Sequence, residues 1–148
     1  MNILVLDTSE ERRSLIREAI SWIDDCDQLF ESETLEAASE MLKTTDFRIV
    51  IVGPELPGDT LSALVFLRGK LPHSALLTST KISHFDRSVQ KRLLDSGADL
   101  VFDQRMAAIH LAILLRPYFS PQSSKSAVTQ RPGSSWQSRI DPLSLSAA

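Results

Sequence analysis

One cysteine among 148 residues, Cys26, leaves no internal disulfide and no cysteine-based metal site to be made. A reducing, cytoplasmic setting is therefore expected. The neighbourhood of Cys26 is acidic, which raises a thiol pKa and makes it less reactive. Basic residues are not in surplus: 16 Lys and Arg stand against 19 Asp and Glu, a formal net charge of −3. That balance argues against a general nucleic-acid binder. No apolar run approaches the length of a membrane span, so no membrane partner is expected. The N-terminus lacks the basic segment, apolar stretch and cleavage site of a secretory leader. There is no Gly-x-Ser-x-Gly elbow, and no glycine-rich phosphate loop follows the first strand. His73, His84 and His110 are scattered without metal-pair spacing and read as surface or packing residues. No cofactor and no metal are expected.

What is present is the material of one soluble domain. A hydrophobic content of 43% and a charged content of 24% are ordinary for a globular chain, and 148 residues suffice for a real core. Ile3–Leu6 is an apolar run closed by Asp7-Thr8, a first strand. Thr8 and Glu11 have capping-box spacing, and Leu15, Ile16, Ala19, Ile20 and Ile23 recur at helical intervals. These predict a helix over Ser9–Ile23. Asp24–Asp27 is an acidic connector. Gln28–Glu31 is a weak strand expected near an edge. Ser32 is the expected cap of a second helix carrying Leu35, Ala38, Met41 and Leu42.

Ile49–Val52 follows, a β-branched run of the kind buried on both faces of a sheet. It stops at Gly53-Pro54, which cannot continue a ladder. Pro54–Asp59 is a loop. Leu61, Leu64 and Val65 predict a third helix ending near Gly69-Lys70. Ala75–Thr78 is a fourth strand and Ser79–Ser83 a polar loop. Phe85, Val89, Leu93 and Leu94 mark a fourth helix, closed by Ser96-Gly97 with glycine as the C-cap. Leu100–Phe102 is a fifth strand. Ile109, Ala112 and Ile113 lie on one face of a fifth helix, Ala107–Leu115, which Pro117 is expected to terminate. Five strands alternating with five helices predict an α/β fold, a doubly wound parallel five-stranded sheet of flavodoxin-like order. This domain covers residues 1–119. Residues 120–148 are rich in serine and proline and are expected to be disordered. Trp136, Ile140, Leu143 and Leu145 offer a short docking motif there, against the plainer reading of a solvated tail.

In open α/β sheets the reaction site lies beyond the carboxyl ends of the central strands. Residue 53 stands there, and it is glycine, with no side chain to react.

Four stretches, taken in order, resemble a response-regulator receiver domain over Met1–Phe119. They are Ile3-Leu4-Val5-Leu6-Asp7, Leu56-Pro57-Gly58-Asp59, Leu77-Thr78-Ser79 and Ser96-Gly97-Ala98-Asp99. The resemblance implies an aspartate at the end of the third strand that accepts a phosphoryl group. It also implies two acids after the first strand that help bind magnesium, a Ser or Thr after the fourth, and a Lys after the fifth. The chemistry needs a carboxylate nucleophile with cations and donors to offset the transferred charge. Position by position, little of this is kept. Asp7 matches one acid, and Thr8 stands at the other. Gly53 stands at the phosphoacceptor position. Thr78 keeps the hydroxyl, and Gln104 stands at the lysine position, or Arg105 if the register slips by one. Val101 stands at the aromatic switch position. Asp7 is expected to cap backbone donors rather than hold a cation, and Thr78 to bond locally.

The expected function is that of a pseudo-receiver: a non-enzymatic, phosphorylation-independent interaction module in two-component or phosphorelay signalling. Its partner is a signalling protein or a second copy. The expected contact surface is the face of the fourth helix, fifth strand and fifth helix, with Val89, Val101, Ile109 and Ile113. The alternatives are a phosphate-accepting receiver that uses a displaced acid, Glu55 or Asp59, and a small-ligand binder that uses the space at Gly53.

Overall fold

The computed structural model describes residues 1–23, 28–56, 59–81 and 87–119. Met1–Leu114 stands apart as one compact unit. The serine- and proline-rich segment 120–148, the connector 24–27 with Cys26, and His84 and Phe85 lie outside the described residues. The described elements, in order, are β1 (Asn2–Leu6), α1 (Glu10–Ser21), β2 (Gln28–Ser32), α2 (Leu35–Leu42), β3 (Ile49–Val52), α3 (Thr60–Lys70), β4 (Ala75–Thr80), α4 (Arg87–Asp95), β5 (Leu100–Asp103) and α5 (Ala108–Phe119). All strand pairs are parallel, in the order β2-β1-β3-β4-β5. This is the expected flavodoxin-like arrangement, with β2 at one edge.

The register follows from the apolar pattern. Leu4, Leu6, Val50, Val52 and Leu76 share one core cluster with Ala38 of α2, Ala63, Leu64 and Leu67 of α3, and Leu93 of α4. Those strand positions are two apart, so they point to one face of the sheet. The opposite parity is Ile3, Val5, Ile49, Ile51 and Leu77, each at most 2% exposed. A parallel sheet is covered on both faces, and the second face is left to the buried residues Ile16, Ala19 and Ile20 of α1 and Ala108, Leu111 and Ala112 of α5. A one-residue slip in any strand would exchange these two sets, which is why the register is unique. Phe30 of β2 meets Phe47 edge to face, with ring centres 5.2 Å apart.

Several local expectations are corrected. The N-cap of α1 is Ser9, whose Oγ accepts from Arg12 N at 3.2 Å. Thr8 is not the cap, and its hydroxyl donates instead to the Glu55 carbonyl. Thr34, not Ser32, caps α2. Ser32 pairs with Leu6 as the last residue of β2, and its hydroxyl donates to the Thr34 carbonyl. Val65 of α3 is 59% exposed, while Ala63, Leu64 and Leu67 are buried. An apolar residue adjacent in sequence to the buried one is turned away by the helical period. Ser79 and Thr80 belong to β4, because β5 pairs with them through Phe102 and Asp103. Ile109 and Ile113 do not share the buried face of Ala112: they are 54% and 63% exposed. Pro117 lies inside α5, which continues to Phe119. Near a helix end a proline removes one hydrogen bond, and its fixed φ still suits the last turn.

The C-terminus of α4 closes as expected. Ala98 N donates to Leu93 O at 3.2 Å and Gly97 N to Leu94 O at 3.1 Å, with Gly97 at φ 126°. This pair of bonds is a Schellman motif, which needs a left-handed residue at that position. Arg68 of α3 then ties the turn down, donating to the Gly97 carbonyl and pairing with Asp99 at 2.7 Å.

Candidate functional site

The carboxyl ends of β1, β3 and β4 converge on the residues singled out in the sequence. Asp7 follows β1 directly and is 2% exposed. Its backbone N–H donates to Ser32 O, and Gly53 N donates to Leu6 O at 2.7 Å, so the ladder carries both residues one step past their strands. This places Asp7 and Gly53 side by side. A β-carbon at residue 53 would overlap Cγ and Oδ2 of Asp7 and stand 2.8 Å from its Oδ1. The space in which a side chain at 53 would begin is therefore filled by the carboxylate of Asp7.

That carboxylate is held from two directions. Ser9 N donates to Oδ1 at 2.9 Å, the local backbone contact expected of an aspartate at a strand–helix junction. The second hold is Arg12. Its Nε lies 2.9 Å from Oδ2 and 3.2 Å from Oδ1, and its Nη2 lies 3.1 Å from Oδ1. Nη2 also reaches Glu55 Oε1 at 3.4 Å. The hydrogen bond to Asp7 raises the Arg12 pKa above its ordinary value, against an opposing effect of burial. Arg12 is the residue that the apolar period of the first helix gave no reason to notice. Its signal is an arginine in the first helical turn, five residues after a strand-end acid. Only the fold of the connecting turn aims the guanidinium back at that acid.

A second arginine braces the same junction. Arg13 is almost buried, donates to the Asp7 carbonyl at 2.7 Å, and pairs with Glu10 and Glu31 at 2.7 and 3.0 Å. Burial is the largest single influence on its pKa and pulls it down, but the hydrogen bonds it donates to Glu10 and Glu31, with the charges of Glu10 and Glu33, together hold it above the ordinary value. Arg17 Nε lies 3.1 Å from Glu31 Oε2 without the alignment of a hydrogen bond.

The remaining site positions are not drawn into this cluster. Thr78 is fully buried and its hydroxyl donates to Val52 O at 2.8 Å, a bond to the neighbouring strand. Gln104 is half-buried, and its backbone N–H donates to Thr80 O. Arg105 N donates to Asp103 Oδ1, and its Nε lies 3.7 Å from the same oxygen. Asp59 caps α3, accepting from Leu61 N and from the Ser62 hydroxyl. Val89 and Val101 pack against the core cluster rather than standing free. Leu94, Ile109 and Ile113 are exposed. His73 and His110 are exposed.

No family model matches the sequence, and no curated protein matches it. Solved structures do match. The RcsB response regulator of Salmonella typhimurium aligns with a TM-score of 0.69 at 18% identity, over 90% of this chain and 69% of that one. A response regulator from Thermotoga maritima aligns at 0.70 and 14% identity, over 80% of this chain and 96% of that one. The fold is that of a receiver domain. An orphan response regulator of H. pylori aligns at 0.67 and 14%, over 81% of this chain and 97% of that one. At these identities the likeness concerns the receiver fold alone.

The receiver resemblance implies magnesium, and the residues here do not fit it. Magnesium wants several hard oxygen ligands in near-octahedral geometry. Both oxygens of Asp7 are taken by Arg12, the adjacent position is Thr8, and residue 53 offers no oxygen in its side chain. Among the described residues no group of three His, Cys, Asp or Glu is placed to hold a metal. Among them, too, no helix is long and apolar enough to cross a membrane.

Proposed function

We propose that this chain is a pseudo-receiver: a phosphorylation-independent protein-interaction module of two-component or phosphorelay signalling, not an enzyme. The observation that carries the reading is the overlap of Asp7 with the space at Gly53. The phosphoacceptor side chain is missing, and a carboxylate gripped by an arginine stands where it would start. An incoming phosphoryl group would meet a partly buried ion pair in place of a nucleophile and a cation.

The two rival readings lose ground on the same local geometry, each for its own reason. A displaced acceptor needs a free carboxylate, yet Glu55 is engaged by Arg12 and Asp59 caps α3. A ligand seated at Gly53 needs room there, and Asp7 fills it. The surface offered to a protein partner is the exposed pair Ile109 and Ile113, one helical turn apart on α5. Leu94 of α4 is exposed as well.

The test is intact-protein mass after incubation with a small phosphodonor and magnesium, beside a phosphorylatable receiver domain as positive control. The natural protein should gain no phosphoryl mass while the control does. A stoichiometric adduct that disappears when magnesium is removed would overturn the proposal.

A further inference from the structure

A buried carboxylate must be neutralised or lose its charge. Asp7 is 2% exposed, so the question is what supplies the positive charge. The guanidinium of Arg12 does so through three contacts of 2.9–3.2 Å to both oxygens. The same guanidinium reaches Glu55 in the loop after β3. One group thus does two things that a bound cation would do at this place. It offsets the charge of the acid after β1, and it bridges that acid to the segment after β3. An arginine is well suited to this, since its planar fork matches a carboxylate and it does not lose its proton in proteins. A divalent ion would have to displace the guanidinium, shed part of its own hydration, and gain a single buried carboxylate in return.

We infer that Arg12 is the resident cation of this site, so that the native protein has no divalent-cation site at Asp7 and is built to work without one. The inference rests on the receiver reading only for the expectation that a cation belongs here. It also gives Arg12 a positioning role, because the grip that neutralises Asp7 is the grip that holds it over Gly53.

The test is titration with Mn²⁺ of the natural protein, Arg12→Ala and the double variant Arg12→Ala/Asp7→Asn, reading free ion by electron paramagnetic resonance and fold by circular dichroism. The natural protein should show no saturable site. Arg12→Ala should gain one, at least about tenfold tighter than any binding to the natural protein, a change of about 1.4 kcal/mol. The double variant should lose that site. Saturable Mn²⁺ binding by the natural protein that Asp7→Asn abolishes would overturn the inference, and so would a folded Arg12→Ala protein that gains nothing. If Arg12→Ala does not fold, Arg12→Gln keeps a polar side chain at the position. The Nε–H resonance of Arg12 in the natural protein gives an independent readout: broadening by Mn²⁺ refutes the inference, and its persistence supports it. Phosphoryl mass and ion binding are separate readouts, so failure here leaves the phosphorylation-independent reading standing, and the reverse holds too.

Discussion

Replacing Gly53 with alanine adds one methyl group, and the structure makes it an expensive one. Gly53 is not at positive φ, so the backbone accepts alanine without strain. On that ground alone the substitution would stabilise by about 0.4–1 kcal/mol, through a less flexible unfolded chain. Against this stands the overlap of the new β-carbon with the Asp7 carboxylate. Overpacking a tight site costs about 1–3 kcal/mol. A displaced Asp7 also loses part of its hold on Arg12 and Ser9, where each charge-assisted bond contributes about 1.5–3 kcal/mol. The loss is partial, because the Arg12 side chain is 17% exposed and can follow the carboxylate. The balance is a destabilisation of about 3 kcal/mol, a fall in Tm on the order of 10 °C for a domain of this size.

The assay is urea unfolding followed by far-ultraviolet circular dichroism, on Gly53→Ala, Asp7→Ala and the double variant. With Asp7 shortened, the obstacle is gone, and Gly53→Ala should be neutral or slightly stabilising. The coupling between the two positions should then be about 3 kcal/mol or slightly more. An equal cost of Gly53→Ala in both backgrounds would refute the steric account, and with it the observation on which the functional proposal stands.

Two further outcomes follow from local chemistry. Ser9→Ala should destabilise by about 1 kcal/mol by removing the cap of α1, while Thr8→Ala should cost less than about half of that in the same unfolding assay. The hydrogen bond from Arg17, ahead of the further bonds and charges of Arg17 and Arg13, holds the Glu10 carboxyl below its ordinary pKa of 4.5, so its contribution is fully present above that pH and is lost as pH falls through the lowered folded value. The stability gap between the natural protein and Glu10→Gln should accordingly be open at pH 7 and close on acidification, as measured by urea midpoints at successive pH values.

The architecture was legible in the sequence because its signals are local and periodic. The all-apolar run Ile49–Val52 reads as a strand covered on both sides, and it is buried throughout. Gly97 after a helical period reads as a C-cap, and it takes the left-handed conformation. Caps were less legible, because Thr8, Ser9, Ser32 and Thr34 are all competent acceptors. Which one serves depends on where the preceding strand stops pairing. Solvent-facing apolar residues such as Val65 and Ile113 also misled, since composition does not say which side of a helix meets the sheet.

The sequence by itself determined which residues stand at the site: glycine at 53, Thr8 beside Asp7, and Gln104 directly after β5. A missing side chain is visible in one dimension. What took its place is not. The overlap of Asp7 with the space at Gly53 comes from the pairing of β1 with β3, residues more than 40 positions apart. The return of Arg12 to Asp7 comes from the path of a turn and the direction of a long side chain. Only the tertiary structure decided that this site is closed by its own ion pair. A buried charge finds its partner through space, and the spacing of letters along a chain does not record that distance.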